Sequence, residues 1–395
     1  MYVVYTSDNT AETGFRYQLK LTITDGSGGT LTTTTRIRPN SFGKLAVDIS
    51  SLVTPHLEPE YKTLWDSTSK IVSIVSAGAE VDIEVKEFYD NSEQGTASTY
   101  TFYVVKGYGQ QSEGNRPDRR GFTPRLASTS NGSLSVRGAF DDNTDTPYMK
   151  IPQGLDCFMS FAVTDHFHSD TNGIDELRVQ TGSGSVVSAD TFDLTVANGL
   201  AQAPGTTLTN GNFYHVLNMG RIIGLDLAVG TKRIVSISNG QIGTNTMTKN
   251  FKFEVVERQS KHDDLTVVWL NEYGGLDTMY IQGRLKKRHQ QNGETMQRLV
   301  ANLDNNPQVD KYRHTTRPYH MTVTTTIDVV QNHLTDMDIH LCRSLQRSRQ
   351  AWLREGENEY QPVVVDTIDF DDNTYAKAQL RPGKFTFTIA TEQRC

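Results

Sequence analysis

The chain has 395 residues, more than one hydrophobic core serves, so two to three domains are expected. An apolar fraction of 36% with 31 glycines suits many short strands joined by polar turns. It weighs against a doubly wound α/β enzyme, whose central strands read as continuous Val/Ile/Leu runs. A formal net charge of −7 supplies no basic footprint, so nucleic acid is an unlikely partner.

The start, Met1 to Thr6, lacks a basic segment followed by a long apolar run, and no window approaches a membrane span. The expectation is a soluble protein made in a cytoplasm and not exported by a recognisable signal. Cys157, Cys342 and Cys395 are far apart and odd in number, which implies free thiols rather than a disulfide framework.

In chain order, residues 1–107 read as an N-terminal β-sandwich. Phe15–Thr24 alternates apolar and polar side chains, as a half-buried strand must. Asp25-Gly-Ser-Gly-Gly29 is a turn and Leu31–Ile37 the return strand. Further strands are expected at 43–50, 71–75, 81–88 and 99–105, with a helical turn over 51–57. Residues 108–125 are a linker or exposed loop in which Arg116, Arg119, Arg120 and Arg125 stand ready to neutralise a partner's carboxylates.

Residues 126–258 read as a middle β domain with long Gly/Asn-rich loops and strands at 134–136, 157–163, 176–179, 192–196, 233–237 and 251–256. Residues 259–395 form a β-rich C-terminal domain. It opens on a hairpin, Val267 to Ile281, in which Trp269 and Tyr273 flank a reversal made by Gly274 and Gly275, both expected at positive φ. Residues 283–320 read as a basic, turn-rich stretch that includes Arg284, Lys286, Lys287 and Arg288. A strand over 321–329 precedes a short helix over 335–346. That helix has a capping residue and early acids, with Leu334, Met337, Leu341 and Leu345 in one stripe. Strands at 360–365 and 384–390 complete the domain. The fold class is therefore mainly β: two to three sandwich-like domains in tandem, with one short helix near the C-terminus.

No catalytic constellation interrupts this pattern. Asp165, His166, His168 and Asp170 have metal-like spacing but sit beside an Asn-Gly turn, where such residues are ordinary. His333, Asp336 and His340 straddle a helix start and read as a cap and surface histidines. Asp141–Asp145 and Asp369–Asn373 open like calcium loops but lack the glycine and the terminal glutamate. Nucleophile elbow, P-loop and dinucleotide fingerprint are all missing, so no enzyme, cofactor or metal is expected. Protein is favoured over nucleic acid as the partner of 283–320, because arginine and tyrosine anchor protein interfaces.

Three segments resemble structural proteins of tailed bacteriophages, crAss-like and related: Arg38 to Val53, the hairpin Trp269-Leu-Asn-Glu-Tyr-Gly-Gly-Leu-Asp277, and Ala351-Trp-Leu-Arg with Tyr360 to Val365. The resemblance implies a virion component of the tail, baseplate or neck, assembled as a ring or sleeve with copies of itself and other virion proteins. Its alternative in the same class is a head–tail connector or collar protein. From another class, a carbohydrate- or receptor-binding module would present Tyr108, Tyr148 and Tyr214 to a host surface glycan. The acidic N-terminal unit and the basic stretch 283–320 are expected to serve as complementary surfaces between subunits.

Overall fold

The computed structural model describes the chain apart from residues 1, 8–9, 11, 26–28, 58, 60, 75–76, 106–122, 127–131, 136–147, 163–175, 187–190, 194–213, 225–226, 239–250, 259–263, 272–273, 298–315, 357, 371–381, 390–392 and 395. The fold is mainly β, as the composition requires, and it separates into two compact units. The first comprises residues 1–258 with 270–278; the second comprises 259–269 with 279–395.

The first unit begins with β1 (Tyr2–Thr6), β2 (Arg16–Asp25), β3 (Thr30–Ile37) and β4 (Lys44–Asp48). Short helical turns at Ser50–Val53 and Lys62–Trp65 precede β5 (Ile71–Ser73), β6 (Gly78–Tyr89) and β7 (Ser92–Val105). A sheet of order β3-β2-β6-β7 has β1-β4 as its companion ribbon. The alternation read in β2 is what builds the core: Tyr17, Leu19, Leu21 and Ile23 join Val81, Ile83 and Val85 of β6 and Leu45 of β4. The other face of β6 carries Glu80, Asp82 and Glu84, all partly exposed.

The rest of this unit holds β8 (Thr123–Leu126), β9 (Gly132–Ser135), β10 (Met149–Pro152), β11 (Phe158–Ala162), β12 (Glu176–Thr181) and β13 (Phe192–Asp193). It continues through β14 (Tyr214–Asn218), a π-helical turn at Gly220–Gly224, β15 (Lys232–Ser238) and β16 (Phe251–Val256). One sheet runs β10-β16-β15-β12-β13, its β10–β16 pairing parallel; another runs β11-β14-β5. Strand β5, expected in the N-terminal sandwich, pairs instead with β14 through Ile71↔Leu217 and Ser73↔His215.

The second unit is built on one sheet, of which residues 270–278 fall in the first unit. Its strands are β17 (Asp264–Leu270), β18 (Leu276–Gln282), β19 (Arg284–Gln297), β20 (Thr316–Gln331), β21 (Ala351–Gly356), β22 (Glu359–Phe370), β23 (Gly383–Ile389) and β24 (Gln393–Arg394). The order is β18-β17-β21-β22-β23-β20-β19, with β24 against β20. The two ends of that path, β18 and β19, are separated in the chain by Gly283 alone, so the sheet returns upon itself. A Cβ at Gly283 would lie 2.1 Å from the Val330 carbonyl oxygen, so only glycine lets the strand turn this corner so close to β20.

The enclosed core gathers Val267, Trp269, Ile281, Ile327, Val329, Leu353, Phe385 and Phe387 with Leu341, Cys342 and Leu345 from the helix Asp336–Arg347. That helix starts where its capping residue requires. Thr335 Oγ1 accepts from the Asp338 backbone N–H, and the Asp338 carboxylate accepts from the Thr335 N–H at 2.8 Å. No helix among the described residues is long and apolar enough to cross a membrane.

Candidate functional site

The basic stretch is not turn-rich over its described part. Residues 284–297 form one continuous strand, β19, in register with β20 from Arg284↔Val330 to Gln297↔Thr316, with an irregularity at Glu294/Thr295. Inward, Ile281 and Leu285 pack on the core, so period two sends Arg284, Lys286 and Arg288 outward. All three are exposed, as are Lys287, His289, Gln290 and Gln291.

These cations differ in what they touch. Arg288 Nη2 stands 2.8 Å from Asp328 Oδ2, while the other oxygen of that carboxylate accepts from Thr386 Oγ1 at 3.1 Å. Lys287 Nζ lies 3.7 Å from Glu355 Oε1 with both side chains in water, a pair worth little. His289 Nδ1 and Thr325 Oγ1 are 3.0 Å apart. Arg284 and Lys286 form no ion pair among the described residues. The result is a row of cations on a stiff strand, suited to holding an anionic surface.

The hairpin β17–β18 does the opposite. Trp269 is fully buried and donates its indole N–H to Ser344 Oγ at 3.1 Å. Of the two glycines, Gly274 adopts positive φ (89°) and Gly275 does not. Gly275 instead donates its N–H to Asn271 Oδ1 at 2.8 Å, while the Asn271 N–H donates to the Gly275 carbonyl at 2.7 Å. The expected left-handed pair is thus one glycine and one asparagine-bonded residue; Tyr273 lies outside the described residues.

Around this tip the first unit satisfies a set of buried polar groups that the sequence reading did not find. Ser160 Oγ accepts from the Leu276 N–H and from the Tyr214 hydroxyl, each at 2.8 Å. Thr278 Oγ1 accepts from the Phe158 N–H at 3.0 Å. Asp156 Oδ1 accepts from Asn218 Nδ2 at 2.8 Å and from Arg221 Nε at 3.4 Å. Burial pushes the Tyr214 hydroxyl well above its ordinary pKa, against the pull of its bonds to Ser160 and Tyr61. Burial likewise drives the Cys342 thiol up to about 12, which leaves it unreactive at neutral pH. These residues lie too far apart in sequence to form a motif; only the fold brings them together.

Of the other expected residues, Tyr214 is buried and cannot serve an exposed glycan platform. Tyr148 is partly covered, with Lys232 Nζ 4.9 Å and Lys252 Nζ 6.0 Å from its ring centroid. His333 is exposed ahead of the helix, whereas the side chains of Asp336 and His340 lie outside the described residues. Asp369 stands opposite Lys384 one residue before the end of β22, and residues 371–373 lie outside the described residues. Tyr108, Arg116, Arg119, Arg120, Asp141–Asp145, Asp165, His166, His168, Asp170 and Cys395 also lie outside the described residues, as does the side chain of Arg125. Among the described residues no group of His, Cys, Asp and Glu is arranged to hold a metal ion. No protein-family model and no curated protein matches the sequence.

Proposed function

We propose that this chain is a non-enzymatic structural component of a tailed-phage virion, in the tail or baseplate region, where it assembles with copies of itself and with other virion proteins as a ring or sleeve. The observation that carries this reading is the far half of the β19–β20 ribbon. Among the described residues, strand β20 meets β23 over Thr326–Gln331 and β24 over Thr322–Val323. Beyond those contacts Gly293–Gln297 and Thr316–Met321 pair only with each other among the described residues. Gly293, Glu294, Thr295 and Met296 are exposed there. A two-stranded ribbon is marginal in water and gains stability when another chain covers it. The likeness of residues 38–53, 269–277, 351–354 and 360–365 to tailed-phage structural proteins supports the same reading.

Mass photometry and light scattering of the purified full chain, with and without reducing agent, test it. A defined ring-sized oligomer or reversible higher-order assembly is expected, with the ribbon protected from proteolysis on assembly. A strict monomer at high concentration, with the ribbon cleaved as fast as at low concentration, would remove self-assembly from the reading.

A further inference from the structure

We propose that copies of this chain join head to tail by docking the outward basic row of β19 in one copy on the outward acidic row of β6 in the next; this rests on the assembly reading above. The basic row is Arg284, Lys286 and Arg288, separated by Leu285, which packs on the core, and by Lys287. The acidic row is Glu80, Asp82 and Glu84, separated by Val81 and Ile83, which are fully buried. Alternate residues of a strand are about 6.6 Å apart. The two rows therefore have opposite charge, the same step and the same length. The backbone of each row is held by strand pairing in its sheet, so little backbone freedom is lost on docking.

Local pairing already engages some members of each row. Glu84 is engaged by Lys20 at 3.5 Å and by Lys86 at 3.0 Å. Arg288 is engaged by Asp328. Arg284 and Lys286 form no ion pair among the described residues, so they are the cations of the basic row that a second copy can engage. Beside Arg284, across the strands, stands Val330, 42% exposed and flanked on its other side by Lys384; it adds apolar area to the basic row. Thr22 and Thr101 flank Asp82 across the strands, and the Thr101 hydroxyl donates to its carboxylate.

A charged edge strand by itself is a common defence against unwanted pairing. The observation that points beyond that defence is the acidic row of matching period on the same chain. Because the two surfaces differ, the contact is heterologous. It builds a ring if the rotation per subunit closes and a filament if it does not.

The experiment uses the full chain and its variants R284E/K286E and E80K/D82K in about 0.15 M salt, where exposed charges act only at short range. Each variant alone is expected to need roughly tenfold or more protein for half-assembly, because like charges then face each other across the contact. An equimolar mixture of the two should assemble again, since each variant's faces complement the other's. The chain carrying all four substitutions should also assemble. Circular dichroism and thermal unfolding confirm that the variants fold, and the milder R284Q/K286Q and E80Q/D82N replace any that do not, with weakening as their expected result. Wild-type assembly that neither face's variants change would overturn the docking while leaving the virion reading standing. Weakening that neither the mixture nor the fourfold chain reverses would overturn the pairing of these rows. A wild type that never assembles would remove both.

Discussion

The hairpins β17–β18 and β19–β20 follow one another with Gly283 between them, and they treat polar and apolar groups in opposite ways. In β17 and β18 nearly every side chain is buried, including Thr266, Asp277 and Thr278, and polar groups at the tip are bonded to named partners. In β19 almost every side chain is in water, and the strand is held by its backbone register with β20 and by Leu285. Burial makes the first hairpin part of a core that tolerates little change. Exposure makes the second a surface, where substitutions alter what it can meet rather than whether the chain folds.

Breaking this contrast on the buried side gives the largest effect. Trp269→Ala removes a fully buried indole from the second unit's core and leaves Ser344 without its donor. Urea unfolding followed by tryptophan-independent circular dichroism should show a loss of about 3–5 kcal/mol, the cost of truncating a large aromatic in a packed core. A loss within experimental error would mean that the hairpin stem is not the core element described above.

Ser160→Ala tests the polar side of the same burial. Its hydroxyl is the acceptor for both the Leu276 N–H and the Tyr214 hydroxyl. Removing it leaves buried donors short of a partner, which costs about 1–3 kcal/mol. Hydrogen exchange at the Leu276 amide should quicken in parallel, and unchanged exchange there would show that the bond does not hold the tip.

At the junction, Gly283→Ala places a methyl group against the Val330 carbonyl. The corner must open, at a cost of about 1–3 kcal/mol as for other overpacked sites. Proteolysis of the β19–β20 ribbon should become faster. An unchanged melting temperature would mean that the sheet does not pass this corner as tightly as the geometry requires.

The contrast between the hairpins also explains what the sequence could reveal. Strands with one face in water announced themselves by alternation, as in Phe15–Thr24, which became β2, and β16 was read to its exact ends because Phe251, Phe253 and Val255 alternate with polar residues. Thr335 and Asp338 marked the helix start through local chemistry that needs no tertiary context. Strand β14 escaped notice because all of Tyr214–Asn218 is buried, including His215 and Asn218, so no period appears. Strand β19 escaped for the opposite reason. With both faces polar, Arg-Leu-Lys-Lys-Arg-His-Gln-Gln looks like a solvated loop, and only its partner β20 makes it a strand. The buried bonds of Ser160, Thr278, Asp156 and Asn218 were illegible because their partners are brought together by topology, not by spacing. The alternation over 81–88 marks a strand, but the opposition of its acidic side chains to 284–288 needs β19 to be a strand first.

The smallest effect on folding is expected at Lys286, and it sharpens the comparison most. Its side chain is exposed and makes no ion pair among the described residues, so Lys286→Gln removes charge without opening a cavity or stranding a buried partner. Directly across the strands lies Asp328, already bonded to Arg288 and Thr386, so that carboxylate keeps its partners when the lysine is lost. Unfolding free energy should change by no more than about 0.5 kcal/mol, as for surface positions of this kind. Assembly should nevertheless weaken measurably, and its dependence on salt should become shallower, because one fewer cation takes part. A variant that is destabilised as strongly as Ser160→Ala would show that β19 belongs to the core after all. One that folds and assembles like the wild type would show that the exposed row contributes to neither.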